Sequence, residues 1–230
     1  ELSLGDLEHQ VIVGHAVPAH RVREALPEGA THAELGTRHV DRDVERRQSG
    51  LPNFYVSLNV SGMQLREAGK FQQHLAAAMR THGVANADLM LEITERHLVQ
   101  DVKGGLPVLE SLVASGIRVS VDDFGTGYSN LETLKNLTVS QIKIDRTFVR
   151  NLVTEVGDRA IVKSIIALGR SLGLQVVAEG VETIEQRQML QASGCDLLQG
   201  YLFARPLTAG KVPPFLDALE KREAGTQTGG

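Results

Sequence analysis

Ser140-Gln141-Ile142-Lys143-Ile144-Asp145, residues 140–145, is the stretch that decides how this chain folds. Side chains alternate along a strand, so Ile142 and Ile144 share one face and leave Lys143 facing inward. A short β-branched run of this kind fits a strand buried on both faces, as in a parallel sheet. Five similar runs surround it: FYVSLNV (54–60), LMLEIT (89–94), IRVSVDDF (117–124), LQVVAEGV (174–181) and CDLLQGY (195–201). Between them lie amphipathic stretches at Gln72–His82, Leu106–Ala114, Arg159–Leu172 and Ile184–Ala192. Strands separated by helices predict βα units.

Nearly every strand run ends in a residue unsuited to a core. The ends are Asn59; Glu92 and Glu95; Asp122 and Asp123; Lys143 and Asp145; Glu179 and Glu182; and Gln199. Steps between the leading members are 33, 30, 21, 36 and 20 residues, close to the roughly 30 of one strand-plus-helix unit. Parallel strands carry their C-terminal ends to one face, which in a closed barrel is the catalytic face. The prediction is an α/β barrel whose polar strand ends converge.

Glu92, Asp122, Asp123 and Glu179 cannot all stay ionised at one place without cations. Their hard oxygens, with the amide of Asn59, favour Mg²⁺ or Mn²⁺ over Zn²⁺. Consecutive Asp122-Asp123 suits two ions about 3.5–4 Å apart, one carboxylate bridging and the other binding one ion alone. Such a pair activates water for in-line attack on a phosphodiester, and Lys143 is placed to orient that water or offset phosphate charge. Taken singly, each signal has a plainer reading. A DD pair ends many strands as a turn or helix N-cap. Glu95 fits a cap for the following helix, and Asp145-Arg146 a surface ion pair of little weight. His9, His15 and His20 lie in an irregular segment and are not read as ligands. Six strand ends in series outweigh the plainer readings.

The rest of the chain sets bounds. It has 230 residues, 42% hydrophobic and 23% charged, the profile of one ordinary globular domain over residues 1–223. A net charge of −4 argues against a partner in duplex nucleic acid. No run approaches a membrane span, and the lone Cys195 excludes an internal disulfide and suits a reducing, cytoplasmic setting. Residues 1–53 contain no Phe, Tyr or Trp, and Arg38–Gly50 reads as a solvated helix. The tail 224–230 reads as a disordered linker. Because the chain begins at Glu1 rather than Met, a longer parent protein is expected.

LNVSGMQL (58–65), LEITE (91–95), VDDFGTGYSNL (121–131), QIKIDRTFV (141–149), VVAEGVET (176–183) and QGYLFARPL (199–207) together resemble the EAL domain family, bacterial phosphodiesterases that act on cyclic di-GMP. The resemblance covers residues 56–207 and implies a modified TIM-like (β/α)8 barrel with its first strand antiparallel to the rest. It implies cleavage of one 3′–5′ linkage to give linear pGpG, with Mg²⁺ or Mn²⁺ as cofactor and Ca²⁺ inhibitory. Asn59, Glu92, Asp122, Asp123 and Glu179 match metal ligands, and Lys143 matches the lysine at the catalytic water. Glu95 matches the glutamate that holds the DDFGTG loop, which the family couples to dimerisation. Glu182 and Gln199 match positions beside the metals or the substrate, and Asp145, followed by Arg146, lies beside the metal centre. A homodimer is implied, with a sensor or diguanylate cyclase domain expected outside this chain.

The front of the chain departs from the family. Glu24-Ala25-Leu26 spells its opening motif but is followed by Pro27-Glu28 and lies only 35 residues before Asn59. The family's usual separation points instead to Glu1-Leu2-Ser3-Leu4-Gly5. On that register Glu1 matches a metal ligand, Leu2 lies on the substrate side, and Gly5 stands where an arginine would contact phosphate. Losing that charge-assisted contact would weaken substrate binding. The N-terminal part is therefore expected to be divergent or incomplete, with exposed sheet edges if strands are missing. Two functions stay open: an active phosphodiesterase, or a silent receptor for cyclic di-GMP or a partner protein.

Overall fold

The computed structural model describes residues 11–13, 17–18, 55–100, 102–127, 134, 139–207, 211 and 214–215. Among these residues eight strands form one sheet. They are β1 (Val11–Val13), β2 (Val17–Pro18), β3 (Val56–Asn59), β4 (Leu89–Thr94), β5 (Arg118–Phe124), β6 (Gln141–Ile144), β7 (Gln175–Ala178) and β8 (Leu197–Leu198). Their spatial order is β1-β3-β4-β5-β6-β7-β8-β2. From β3 to β8 every neighbour is parallel and consecutive, as the alternation of strand and helix runs predicts.

The antiparallel strand expected at the front is present as two short pieces. β1 pairs antiparallel with β3, and β2 pairs antiparallel with β8. The edges that a missing strand would leave open are thus paired. The chain also forces the sheet to curl. Laid flat, seven inter-strand gaps would separate β1 from β2 by about 34 Å. Val13 and Val17 are four residues apart, so no more than about 14 Å can lie between them. The sheet bends back on itself as a TIM-like barrel.

Helices follow the strands: α1 (Gly62–Arg66), α2 (Ala68–His82), α3 (Glu95–Gln100), α4 (Val102–Ala114), α5 (Arg146–Asn151), α6 (Val156–Ser171) and α7 (Ile184–Ser193). Local chemistry sets their ends. Ser61 with Gln64 and Thr183 with Gln186 form reciprocal capping boxes. Gly83 and Gly194 end α2 and α7 in the left-handed conformation that favours glycine.

Strand alternation sorts the two faces of the sheet. Leu91, Ile93, Val119, Val121, Ile142 and Ile144 are wholly buried in the main apolar cluster between sheet and helices. Gly169 lets α6 close on that face, because a methyl group there would overlap Val176 Cγ2 and lie 3.2 Å from Ile142 Cδ1. The inner face is mostly polar. Buried Met90, Val177 and Leu197 lie outside the main cluster, and between them sit Ser57, Ser120 and Gln141. Ser120 Oγ donates to Gln141 Oε1 at 3.0 Å, and Gln141 Nε2 donates to Gln175 Oε1 at 3.0 Å. This polar layer forms the floor of the site.

Candidate active site

Lys143 stands at the centre. Its Nζ lies 2.6 Å from Glu179 Oε1, 2.8 Å from Glu92 Oε2 and 3.4 Å from Asp122 Oδ1. These carboxylates come from the ends of β7, β4 and β5, so chain segments 36, 51 and 21 residues from the lysine meet on it. Lys143 is 2% exposed and Glu92 4%, whereas Asp122 and Glu179 keep 16% and 19%, so the cluster opens to solvent on the strand-end side. Asn59 stands directly beside Glu92 in the β3–β4 register, on the same face.

Burying an ammonium costs several kcal/mol unless partners offset it. Burial opposes the charge on Lys143, but Glu92, Glu179 and Asp122 more than compensate, and its pKa lies well above the ordinary lysine range. Lys143 is therefore a fixed positive charge. Burial pushes the Glu179 carboxyl up to about 7; Lys143 pulls against this, and Asp122 and Glu92 add to it. One lysine cannot neutralise all the acids assembled here.

The Asp122-Asp123 pair is shaped by a β-bulge. Val121 pairs with Ile142 and Phe124 with Ile144, so three steps on β5 answer two on β6. A regular strand would send the two aspartates to opposite faces. Asp123 instead takes φ +54°, and its N–H donates to Asp122 Oδ1 at 3.0 Å. Partial desolvation raises the Asp123 carboxyl to about 6, with Asp122 and a side-chain hydrogen bond with Asp145 adding to the shift. Asp145 also caps α5, its Oδ1 accepting from Thr147 N at 2.7 Å and from the Thr147 hydroxyl. The surface ion pair is thus not the role the structure gives Asp145.

Glu95, 2% exposed, opens α3, and its Oε2 accepts from Gly125 N at 3.0 Å, holding the loop that follows Asp123. Gly125 and Gly127 both take positive φ there. Gln199 lies half-buried just past β8, its N–H donating to Ala178 O at 2.8 Å. Glu182 and Arg146 are exposed at the same end, on the β7–α7 loop and at the start of α5. Glu1, Leu2, Gly5, Glu24–Leu26, the three N-terminal histidines, the helix expected over 38–50 and the tail 224–230 lie outside the described residues.

Ser120, Gln141 and Gln186 are site-supporting residues that the strand-end reading passes over. The first two were signalled by phase: Ser120 lies two before Asp122, and Gln141 two before Lys143. Gln186 was signalled by the Thr183-x-x-Gln186 capping pattern.

The donor set is all oxygen, and its excess negative charge suits a hard divalent cation. Among the described residues no three of the acidic, histidine or cysteine side chains already enclose a cation-sized gap. The lysine ammonium holds that central place. None of the described helices is long and apolar enough to cross a membrane.

The family model described as "EAL domain" matches residues 15–206. A bifunctional diguanylate cyclase/cyclic di-GMP phosphodiesterase, MucR of Pseudomonas aeruginosa, is 44% identical over 163 residues, 71% of this chain and 24% of that protein. Cyclic di-GMP phosphodiesterase NbdA of the same organism is 38% identical over 170 residues, 74% of this chain and 22% of that protein. This chain thus spans about a quarter of the length of these curated relatives. The solved complex of the MucR phosphodiesterase with c-di-GMP superposes with a TM-score of 0.72 at 39% identity, covering 76% of this chain and 71% of that one. A manganese/cy-diGMP complex of Klebsiella pneumoniae BlrP1 superposes with a TM-score of 0.69 at 26% identity, covering 85% of this chain and 55% of that one.

Proposed function

The chain belongs to the EAL domain family, and on that premise we propose that it hydrolyses one 3′–5′ linkage of cyclic di-GMP to linear pGpG with the help of divalent cations. The observation that carries this reading is the contact of buried Lys143 with Glu92, Asp122 and Glu179 at the strand ends. The named activity of MucR and NbdA supports the substrate, and the manganese complex of BlrP1 supports the cofactor.

Asn59, Glu92, Asp122, Asp123 and Glu179 are the residues that would hold Mg²⁺ or Mn²⁺, with Glu1 as a further ligand from the front of the chain. Bound there, such ions offset phosphate charge and lower the pKa of water. Lys143, a permanent donor, orients the attacking water and offsets negative charge; with its pKa raised it does not serve as the base. Asp145 lies beside Asp123 at the rim, within side-chain hydrogen-bond reach of it, and helps to hold that carboxylate in place. Glu95 keeps Asp123 in place through Gly125. Glu182, Gln199 and Arg146 would serve on the substrate side or behind the metal ligands, as would Leu2 from the front of the chain.

Gly5 favours a second reading, a receptor that binds cyclic di-GMP without cleaving it, because no arginine is supplied at that place for the phosphate. A homodimer, a fused sensor or cyclase domain and a cytoplasmic setting accompany both readings. Incubation with cyclic di-GMP and Mn²⁺, followed by chromatography, separates them. Appearance of pGpG is expected. Binding without product would establish the receptor, and neither binding nor product would overturn both.

A further inference from the structure

Glu179 and Lys143 lie on neighbouring strands, and something must fix the distance between the two strand ends. The chain leaving β7 passes through Gly180, Val181, Glu182 and Thr183 before α7 begins. This loop is pressed from two sides. A Cβ on Gly180, where φ is +69°, would lie 2.8 Å from Arg146 Cβ, so the loop backbone rests on the first turn of α5. On the other side Val181 N donates to Gln199 O at 3.0 Å and Leu202 N donates to Val181 O at 2.9 Å.

Gln186 closes this arrangement with a single buried side chain. Its Oε1 accepts from Glu182 N at 2.7 Å and Thr183 N at 3.0 Å. Both partners on that side are N–H donors, so only the amide oxygen can face them. Nε2 is thereby directed to Arg150 O, to which it donates at 3.3 Å. Arg150 belongs to α5, the short helix that Asp145 caps two residues after Lys143. One amide therefore ties the loop after Glu179 to the helix that grows from the lysine strand.

We infer that Gln186 is a positioning residue: by bridging the β7–α7 loop and α5 it sets the spacing of the β6 and β7 ends, and with it the Lys143–Glu179 contact. The inference rests on the phosphodiesterase reading for its kinetic consequence, but its structural content stands apart from it.

Gln186→Glu separates the two halves of the bridge. Glutamate at this place is an ordinary capping-box partner for Thr183, so the N–H groups of the loop keep their acceptor. A carboxylate cannot donate to Arg150 O, so the tether is lost. The variant is expected to stay folded at the assay temperature while kcat falls about tenfold and KM stays within twofold, as for partners that orient metal ligands. Mn²⁺ affinity measured by calorimetry should fall about tenfold as well. Gln186→Leu, lacking both halves, should lose melting temperature in addition. An unchanged Mn²⁺ affinity in Gln186→Glu would overturn the inference, as would a tenfold loss fully accounted for by unfolded protein at the assay temperature. If the parent cleaves nothing, the phosphodiesterase reading fails, and the Mn²⁺ titration alone decides the role of Gln186.

Discussion

Lys143 Nζ lies 2.6 Å from Glu179 Oε1, although 36 positions and two helices, α5 and α6, separate the residues along the chain. The contact is the shortest of three that hold one ammonium among acids. Removing the lysine leaves those acids without a cation. Lys143→Met in chelator should lose about 3–5 kcal/mol in urea denaturation, the cost of stranding buried charge. Mn²⁺ should restore part of that loss. A variant as stable as the parent in chelator would mean that the acids do not depend on this lysine.

Asp123 holds φ +54°, a region where asparagine and aspartate are several-fold enriched over other non-glycine residues. Asp123→Asn keeps the conformation and removes the charge; Asp123→Ala removes both. The alanine variant should therefore be less stable than the asparagine variant by about 1–2 kcal/mol. Hydrolysis of cyclic di-GMP should be lost in both. Equal stability of the two would show that the bulge does not need this backbone state.

Cys195 is buried, and desolvation pushes its thiol up to about 12. The folded thiol thus resists ionisation relative to an unfolded one near 8.5. Its contribution to stability is complete below that value and is lost as pH rises from there through about 12. At pH 8.5 a thiol reagent should leave the native chain untouched and modify one thiol after denaturant is added. Rapid labelling of the native protein would contradict the burial.

Gly169 lies where α6 meets Ile142 and Val176. Gly169→Ala would gain helix propensity, yet its methyl group overlaps Val176 Cγ2. Overpacking of this kind costs about 1–3 kcal/mol, more than the roughly 1 kcal/mol that propensity returns. A net loss in urea denaturation is expected, and a net gain would show that helix and sheet can part at this point without cost.

Much of the fold was legible because strand alternation and strand ends were in phase. Ile142 and Ile144 on the apolar side placed Lys143 inside, and the burial of all three bears this out. The convergence of Glu92, Asp122 and Glu179 followed from parallel strands sharing one end. The β-bulge was not legible, since nothing in VSVDDF marks an inserted residue. Alternation would have sent Asp122 and Asp123 apart, and only the β6 register reveals the extra step. The pairing of β1 and β2 with opposite edges of the sheet was hidden for another reason. Runs of three and two residues carry too little periodicity to register. The polar floor was legible in phase but was passed over, because serine and glutamine inside a strand carry no charge to draw notice.

The acids gathered on Lys143 are the proposed ligands for divalent ions. Anomalous diffraction from crystals grown with Mn²⁺ locates such ions. Manganese peaks should appear among Asn59, Glu92, Asp122, Asp123 and Glu179, with carboxylate oxygens turned from the lysine toward the ions. Crystals in saturating Mn²⁺ that show no peak at these residues, with Lys143 still holding all three acids, would contradict the account.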